Sequence, residues 1–213
     1  MSNIPQGTKF HGVAPSVETV NKGSATANAW RDAYTIDDMV NYFGTRGLFS
    51  QTEDGPDVSD TTDELTIIGN GEGSLSVPAN GFAKGNTFRA YVEGDLSSLN
   101  NAELTINIRD NGNILATTGP MTLVTTSGNY YYLDVNFVVR QIGAAGTAQL
   151  MTSGMFQYTK TANSTPEVIG FNNLNSTTFD TTTDSTLNIT AQWGAADPLN
   201  SIDAHILILQ RVF

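Results

Sequence analysis

The chain offers few side chains for catalysis, and its best pair is Asp203 with His205 near the C-terminus. Residues two apart on a β-strand point to the same face, so this carboxylate and this imidazole could meet. Such a pair could act as a general base for a serine nucleophile, or supply two ligands of a metal ion. The other histidine, His11, is far away in the sequence, and no GxSxG or HExxH pattern accompanies the pair. We therefore predict a non-enzymatic protein with no catalytic residue, metal ion or cofactor.

A run of acidic residues between positions 51 and 64 is a second candidate for chemistry. It contains no basic residue, and its acidic members are Glu53, Asp54, Asp57, Asp60, Asp63 and Glu64. Carboxylate oxygens are ligands for calcium, but the EF-hand spacing of Gly at the sixth place and Glu at the twelfth is absent. The interspersed Gly, Pro, Ser and Thr residues are typical of a solvated linker, which we predict over residues 51–64.

Three consecutive tyrosines, Tyr130, Tyr131 and Tyr132, are the third candidate. Tyr131 shares its parity with the apolar residues that follow in the same strand, so its ring is predicted to lie in the core. Tyr130 and Tyr132 would then point outward, where aromatic faces could stack on a sugar. The alternative is that these residues reflect only the preference of tyrosine for strands.

Composition excludes several classes of function. The 213 residues (22.8 kDa) suffice for one domain with or without an arm, and only 15% of them are charged. The net charge of −11 has the wrong sign for binding nucleic acid. No apolar run exceeds four residues, so we expect neither membrane insertion nor a signal peptide. Cysteine is absent, which leaves packing and subunit association as sources of stability.

Residues 65–213 are predicted to form an antiparallel β-sandwich of about ten short strands, because short runs of period two alternate with Gly, Asn and Pro. The clearest runs place apolar residues at every second position: Leu104, Ile106 and Ile108; Leu133, Val135, Phe137 and Val139; Leu187, Ile189, Ala191 and Trp193. Asp110, Asn111, Gly112 and Asn113 predict a tight hairpin after the first of these runs.

The last strand is apolar on both faces, because residues 206–209 read Ile-Leu-Ile-Leu. An exposed strand of this kind would promote aggregation, so we expect it to lie inside its sheet with one face toward another subunit. The predicted oligomer interface consists of His205, Leu207 and Leu209.

The N-terminal residues 1–50 are predicted to form an extended arm that contains one short helix. Ile36, Met39, Val40 and Phe43 are spaced so that they share one helical face. A helix this short is marginal on its own in water, so we expect this face to dock on a partner surface.

Two segments resemble parts of viral structural proteins. Residues 21–39, NKGSATANAWRDAYTIDDM, resemble a stretch near the start of many bacteriophage virion and fibre proteins, where NKG, small residues and YTIDD follow in that order. Residues 179–212 are similar to the end of structural proteins from phages and aquatic viruses, with a TLxITxQWG strand, a polar loop and a final apolar strand. The resemblance implies a virion component with an attachment segment and a C-terminal jelly-roll head, like the trimeric knobs of tumour-necrosis-factor type.

The sequence thus predicts a phage virion protein of fibre or spike type, made in the host cytoplasm. We expect a homo-oligomer, a trimer by the resemblance, that contacts other virion proteins through its arm and a host-surface glycan or protein through its head. A capsid- or tail-decorating protein without a receptor is the alternative, and a small carbohydrate-active enzyme is the alternative from another class.

Overall fold

A computed structural model describes residues 46–162 and 164–212. One compact unit comprises Gly47–Phe213, and we call it the β domain. The predicted attachment helix, with Ile36, Met39, Val40 and Phe43, lies outside the described residues, as does nearly all of the predicted arm. The described residues form no helix, so they include none that is long and apolar enough to cross a membrane.

The described part of the chain consists of fifteen β-strands. Ten have three or more residues: β1 (Arg46–Gln51), β4 (Gly71–Gly73), β6 (Thr87–Ser98), β7 (Glu103–Asp110), β8 (Asn113–Thr117), β10 (Thr126–Gln141), β11 (Gln149–Thr159), β12 (Pro166–Asn175), β13 (Ser185–Trp193) and β15 (Ile206–Arg211). Five have two residues: β2 (Val58–Ser59), β3 (Leu65–Thr66), β5 (Ser76–Val77), β9 (Met121–Thr122) and β14 (Ser201–Ile202). The prediction of an all-β, antiparallel domain is confirmed.

The strands form two antiparallel sheets. The larger has nine strands in the order β12-β11-β10-β6-β15-β1-β4, with β14 beside β6 and β2 beside β14. The smaller has six strands in the order β3-β13-β7-β8, to which β5 and β9 add short pairings. The inward residues of both sheets belong to one hydrophobic core.

Alternation of side chains decides which residues enter this core. The inward residues of β10 are all buried, namely Tyr131, Leu133, Val135, Phe137 and Val139. From the smaller sheet, Ile106, Ile108, Ile189 and Trp193 are buried as well. The period-two runs of the sequence therefore mark the core correctly, because a strand with one wet face buries every second side chain.

The hairpin between β7 and β8 forms where the sequence predicts it. Asp110 pairs with Asn113, and the two residues between them are Asn111 and Gly112. Both have positive φ, 46° and 90°, as a two-residue hairpin turn of the type I′ form requires.

The last strand, β15, lies inside the large sheet between β6 and β1, as predicted. The predicted interface residues Leu207 and Leu209, however, take the core face and are 0% and 6% exposed within the single chain. That part of the interface prediction is wrong, because the register with β6 places Leu207 opposite the buried Val92. The outward face of β15 carries Ile206 and Ile208 instead.

The predicted linker over residues 51–64 is part of the β domain. Val58 is fully buried, and its carbonyl accepts a hydrogen bond of 2.8 Å from the indole Nε1 of Trp193. The side chain of Gln51 is buried and donates to the carbonyl of Ala204. Most carboxylates of residues 51–64 do face water, as the acidic composition predicts. The backbone of the segment is nevertheless fixed by its anchors at Val58 and Gln51.

Glu64 closes the same segment onto the small sheet through a two-pronged ion pair with Arg109, and it also accepts a hydrogen bond from Thr190. These bonds, led by the one from Arg109, lower the pKa of Glu64 to about 2. The stability that they provide is present above the ordinary carboxyl pKa of 4.5 and is lost as the pH falls toward 2.

Two buried tyrosines of the core provide a matched test of its packing. Tyr131 and Tyr158 both pack on Phe156, with ring centroids 5.5 and 6.0 Å away. The hydroxyl of Tyr158 accepts a hydrogen bond from the backbone N–H of Val124, whereas that of Tyr131 has no partner among the described residues. An unpaired buried hydroxyl costs roughly 1–3 kcal/mol, and a paired one contributes roughly 1 kcal/mol.

We therefore expect Tyr131→Phe to leave the free energy of unfolding in urea unchanged or to raise it. Tyr158→Phe, the control, should lower it by about 1 kcal/mol because the Val124 N–H loses its acceptor. Equal destabilisation by both substitutions would contradict this account of the core.

Candidate functional site

The outward face of the large sheet is the candidate site, and three central strands, β10, β6 and β15, build it. Their registers place Tyr132 opposite Glu93, which in turn lies opposite Ile206. One step along the strands, Asp134 lies opposite Tyr91, which lies opposite Ile208. Aromatic, charged and aliphatic side chains therefore stand in adjacent rows on one surface.

The predicted outward tyrosines belong to a cluster of three, which we call the tyrosine cluster: Tyr91, Tyr130 and Tyr132. The ring of Tyr132 lies 6.0 Å from that of Tyr91 and 6.5 Å from that of Tyr130, centroid to centroid. The hydroxyls of Tyr91 and Tyr130 are 3.5 Å apart. Tyr130 is 45% exposed, so the cluster presents aromatic surface to water.

Sequence reasoning missed Tyr91, although a signal for it existed. Tyr91 alternates with the buried residues Ala90 and Val92, so its parity already assigns it to the outward face. What the sequence could not give is the register between β6 and β10, which brings Tyr91 beside Tyr132 across the sheet. That register depends on strand pairing between distant parts of the chain.

Arg89 and Asp134 flank the tyrosine cluster with a two-pronged ion pair. Arg89 Nε donates to Asp134 Oδ1 at 2.8 Å, and its second nitrogen Nη2 lies 2.5 Å from Oδ2. Arg89, Tyr91, Ile208 and Gln210 line a shallow depression of about 230 Å³ between β6 and β15. This corner of the face therefore combines a planar charged pair, an aromatic ring and an aliphatic wall.

The hydroxyls of Tyr91 and Tyr130 keep their protons over the physiological pH range, because the pKa of each is raised. A hydrogen bond to Glu93 raises the pKa of Tyr91, and partial burial, with bonds to Tyr91 and Glu93, raises the pKa of Tyr130. Each hydroxyl therefore keeps its single proton, which these bonds already use, and its oxygen remains available as an acceptor.

His205 marks the other end of the face, next to three aspartates. Its Nδ1 lies 3.0 Å from Asp54 Oδ1, and its Nε2 lies 3.5 Å from Asp95 Oδ2 and 3.7 Å from Asp203 Oδ1. The chain reaches this position by crossing closely over Gly94, where an added Cβ would come within 2.0 Å of the Asp203 carbonyl oxygen. Only glycine fits at that crossing.

Asp203 and His205 therefore lie close together, as the sequence suggests. Asp54 and Asp95 contact the same imidazole. The hydrogen bond to Asp54 raises the pKa of His205, with a contribution from the charge of Asp203. Among the described residues, no group of three or more His, Asp or Glu side chains is arranged to hold a metal ion. The geometry is that of a local ion cluster that ties the segment around Asp54 to the sheet.

Comparisons of the chain with protein-family models, with curated proteins and with solved structures find no match. No family assignment follows from them.

The ion cluster predicts a pH dependence of stability. Because the folded-state pKa of His205 is raised above 6.5, its contribution is complete below pH 6.5 and is lost as the pH rises through the folded-state value. We expect His205→Gln to lower the free energy of unfolding at pH 5.5 and to have a much smaller effect at pH 8.5, as measured by urea denaturation. Asp54→Asn leaves His205 in place but removes its closest hydrogen-bond acceptor. This substitution should likewise lower the free energy of unfolding more at pH 5.5 than at pH 8.5. An effect of His205→Gln that is equal at both pH values would contradict the assignment.

Proposed function

We propose that the β domain is a non-enzymatic, carbohydrate-binding head on a phage virion protein of fibre or spike type. The observation that carries the proposal is the tyrosine cluster on the outward face of the large sheet. The ring of Tyr132 lies within 6.5 Å of the rings of Tyr91 and Tyr130, centroid to centroid. The planar charged groups of Arg89 and Asp134 lie beside them, and Tyr130 is exposed on this surface of the β domain.

The chemistry of a sugar matches this arrangement. The C–H face of a pyranose ring is apolar and packs on an aromatic ring, while its hydroxyls need paired donors and acceptors. Arg89 and Asp134 present such groups in one plane, and the hydroxyl oxygens of Tyr91 and Tyr130 add further acceptors. Excess acidic charge at the His205 end disfavours a nucleic acid on the same face.

The shape of the face favours an extended polysaccharide over a small molecule. Ligand pockets for small molecules are usually concave and enclose most of the ligand, whereas the depression beside Arg89 is small and shallow. Each open contact is weak, so useful affinity requires several copies that bind one repeating surface. A homo-oligomeric head on a particle supplies that multivalency.

The virion assignment rests on the resemblance of residues 21–39 and 179–212 to phage structural proteins. In this proposal the two sheets form a jelly-roll sandwich, and the N-terminal residues hold the β domain to the particle through Ile36, Met39, Val40 and Phe43. A decorating protein without a receptor would share this attachment but would not need the tyrosine cluster.

Binding to bacterial capsular polysaccharides and lipopolysaccharide O-chains, printed as an array, tests the carbohydrate assignment. We expect the full chain to bind a subset of them, and Tyr91→Ala, Tyr130→Ala and Tyr132→Ala each to weaken that binding by about tenfold. The estimate follows from roughly 1.4 kcal/mol for a lost aromatic contact.

Leu65→Ala is the matched control, because it removes an exposed side chain, 43% accessible, from the other sheet. It should leave binding unchanged. Binding that is insensitive to all three tyrosine substitutions would contradict the site, and release of reducing sugar from a bound glycan would favour the enzyme alternative, with Glu93 and Asp134 as its nearest carboxylates.

Removal of residues 1–45 tests the virion attachment. Because Gly47–Phe213 is one compact unit, we expect the shortened protein to fold and to bind glycan as before. It should be missing from purified particles when it replaces the full chain during infection, as measured by mass spectrometry of the particles. Incorporation at the normal level would contradict the role of the N-terminal residues.

A further inference from the structure

One edge of the large sheet differs from the other edges in the described part of the chain. Strand β12 (Pro166–Asn175) ends the sheet and is ten residues long, whereas β4 at the opposite end has only three. In the small sheet, the edge strand β8 lies against β12 itself, because the β12 side chains Asn173 and Asn175 donate to the carbonyls of Thr117 and Ile114. Among the described residues, β12 is therefore the long edge strand that has no strand paired along its outer side, although its inward side chains reach β8.

Natural proteins usually protect such an edge with charges, a bulge or a central proline. Strand β12 has no bulge and no central proline. It pairs with β11 over ten consecutive residues without a register shift, and its one proline, Pro166, is its first residue. Its one charged residue, Glu167, is neutralised by an ion pair with Lys160.

The outward face of β12 is also apolar where it could contact a neighbour. Val168 is 51% exposed and Leu174 is 52% exposed, and Gly170 lies between them. On the inward face, the ring of Phe171 covers Gly154 of the neighbouring strand so closely that an added Cβ would lie 2.3 Å from it. The edge is thus held in place from below and is open at its side.

We propose that β12 pairs antiparallel with β12 of a second copy of this chain, about a two-fold axis at Phe171. In this register Val168 of each copy lies opposite Leu174 of the other, and Gly170 lies opposite Asn172. Two apolar pairs are covered at once, and Glu167 faces Asn175 rather than a like charge. The backbone N–H and C=O groups that alternate along the open side of β12 gain partners, which makes this edge self-complementary.

The inference deepens the proposed multivalent head by naming its contact surface. An isologous pair is closed by two copies, so it gives dimers or assemblies of paired copies rather than the trimer that the resemblance implies. Since each copy carries a net charge of −11, long-range repulsion opposes the pairing, and added salt should strengthen it.

Sedimentation of the full chain at 50 and 300 mM NaCl tests the association. We expect a dimer whose dissociation constant falls with salt, and we expect the double variant Val168→Lys, Leu174→Lys to raise that constant at least tenfold. Leu199→Lys is the matched control, because it places the same charge on an exposed leucine, 62% accessible, in a loop away from β12. It should leave the constant unchanged.

The absence of cysteine from the chain allows a direct test of the register. The double variant Val168→Cys, Leu174→Cys should form a covalent dimer on mild oxidation, because residues directly opposite one another bring their Cβ atoms within disulfide range. Val168→Cys, Asn172→Cys is the control and should remain uncrosslinked.

Crosslinking of the control pair instead would overturn the register, and a dimer or trimer insensitive to the double lysine variant would overturn the surface while leaving multivalent display intact. A chain that remains monomeric at high concentration and high salt would overturn both. Loss of glycan binding with an unchanged dimer would bear only on the tyrosine cluster, so the two proposals fail separately.

Discussion

Alternation along three neighbouring strands is the constraint on which the rest of the β domain depends. In β6, β10 and β15 every second side chain must enter the core that the two sheets share, which fixes the exposure of all the others. Burial of Val92, Leu133 and Leu207 is therefore what places Tyr91, Tyr132 and Ile208 on the outward face. A slip of one residue in any of these strands would move its outward side chains into the core, so the tyrosine cluster is specified by the same packing that stabilises the fold.

A second constraint acts through contacts that are distant in sequence. Residues 51–64 have the composition of a linker, yet the Trp193 indole, the Gln51 amide and the Glu64 carboxylate attach them to the sheets. Each anchor joins residues more than forty positions apart. Composition reports the solvated side of such a segment well, because most of its carboxylates face water, but it does not report anchors such as Glu64 that depend on the partner strand.

The extent to which the sequence predicts this molecule follows from the same distinction. Local patterns predict the strands of the core, the hairpin at Asn111 and Gly112, and the inward position of Tyr131. They also predict that β15 lies inside its sheet, but they do not decide which of its two apolar faces is buried. Leu207 and Leu209 differ from Ile206 and Ile208 only through the register with β6, which is a property of the pairing. The meeting of His205 with Asp54 and Asp95, and of Tyr91 with Tyr132, depends on long-range pairing in the same way.

Pairing of two copies at β12 would fix how their two tyrosine clusters are placed relative to each other. Residues opposite one another in an antiparallel pair direct their side chains to the same face, so a two-fold axis at the β12 edge is perpendicular to the sheet. Both tyrosine clusters would then face the same side of the joined sheets. The path from β10 of one copy to β10 of the other crosses five strand spacings, or about 24 Å at roughly 4.8 Å each. The registers also place Tyr132 of one copy in line with Val138 of the other, which shifts the two clusters by six residues, or about 20 Å, along the strands, so they lie roughly 31 Å apart. A polysaccharide chain or a dense glycan surface can span that distance, so pairing at the edge would turn two weak, open contacts into one bivalent contact without altering either site.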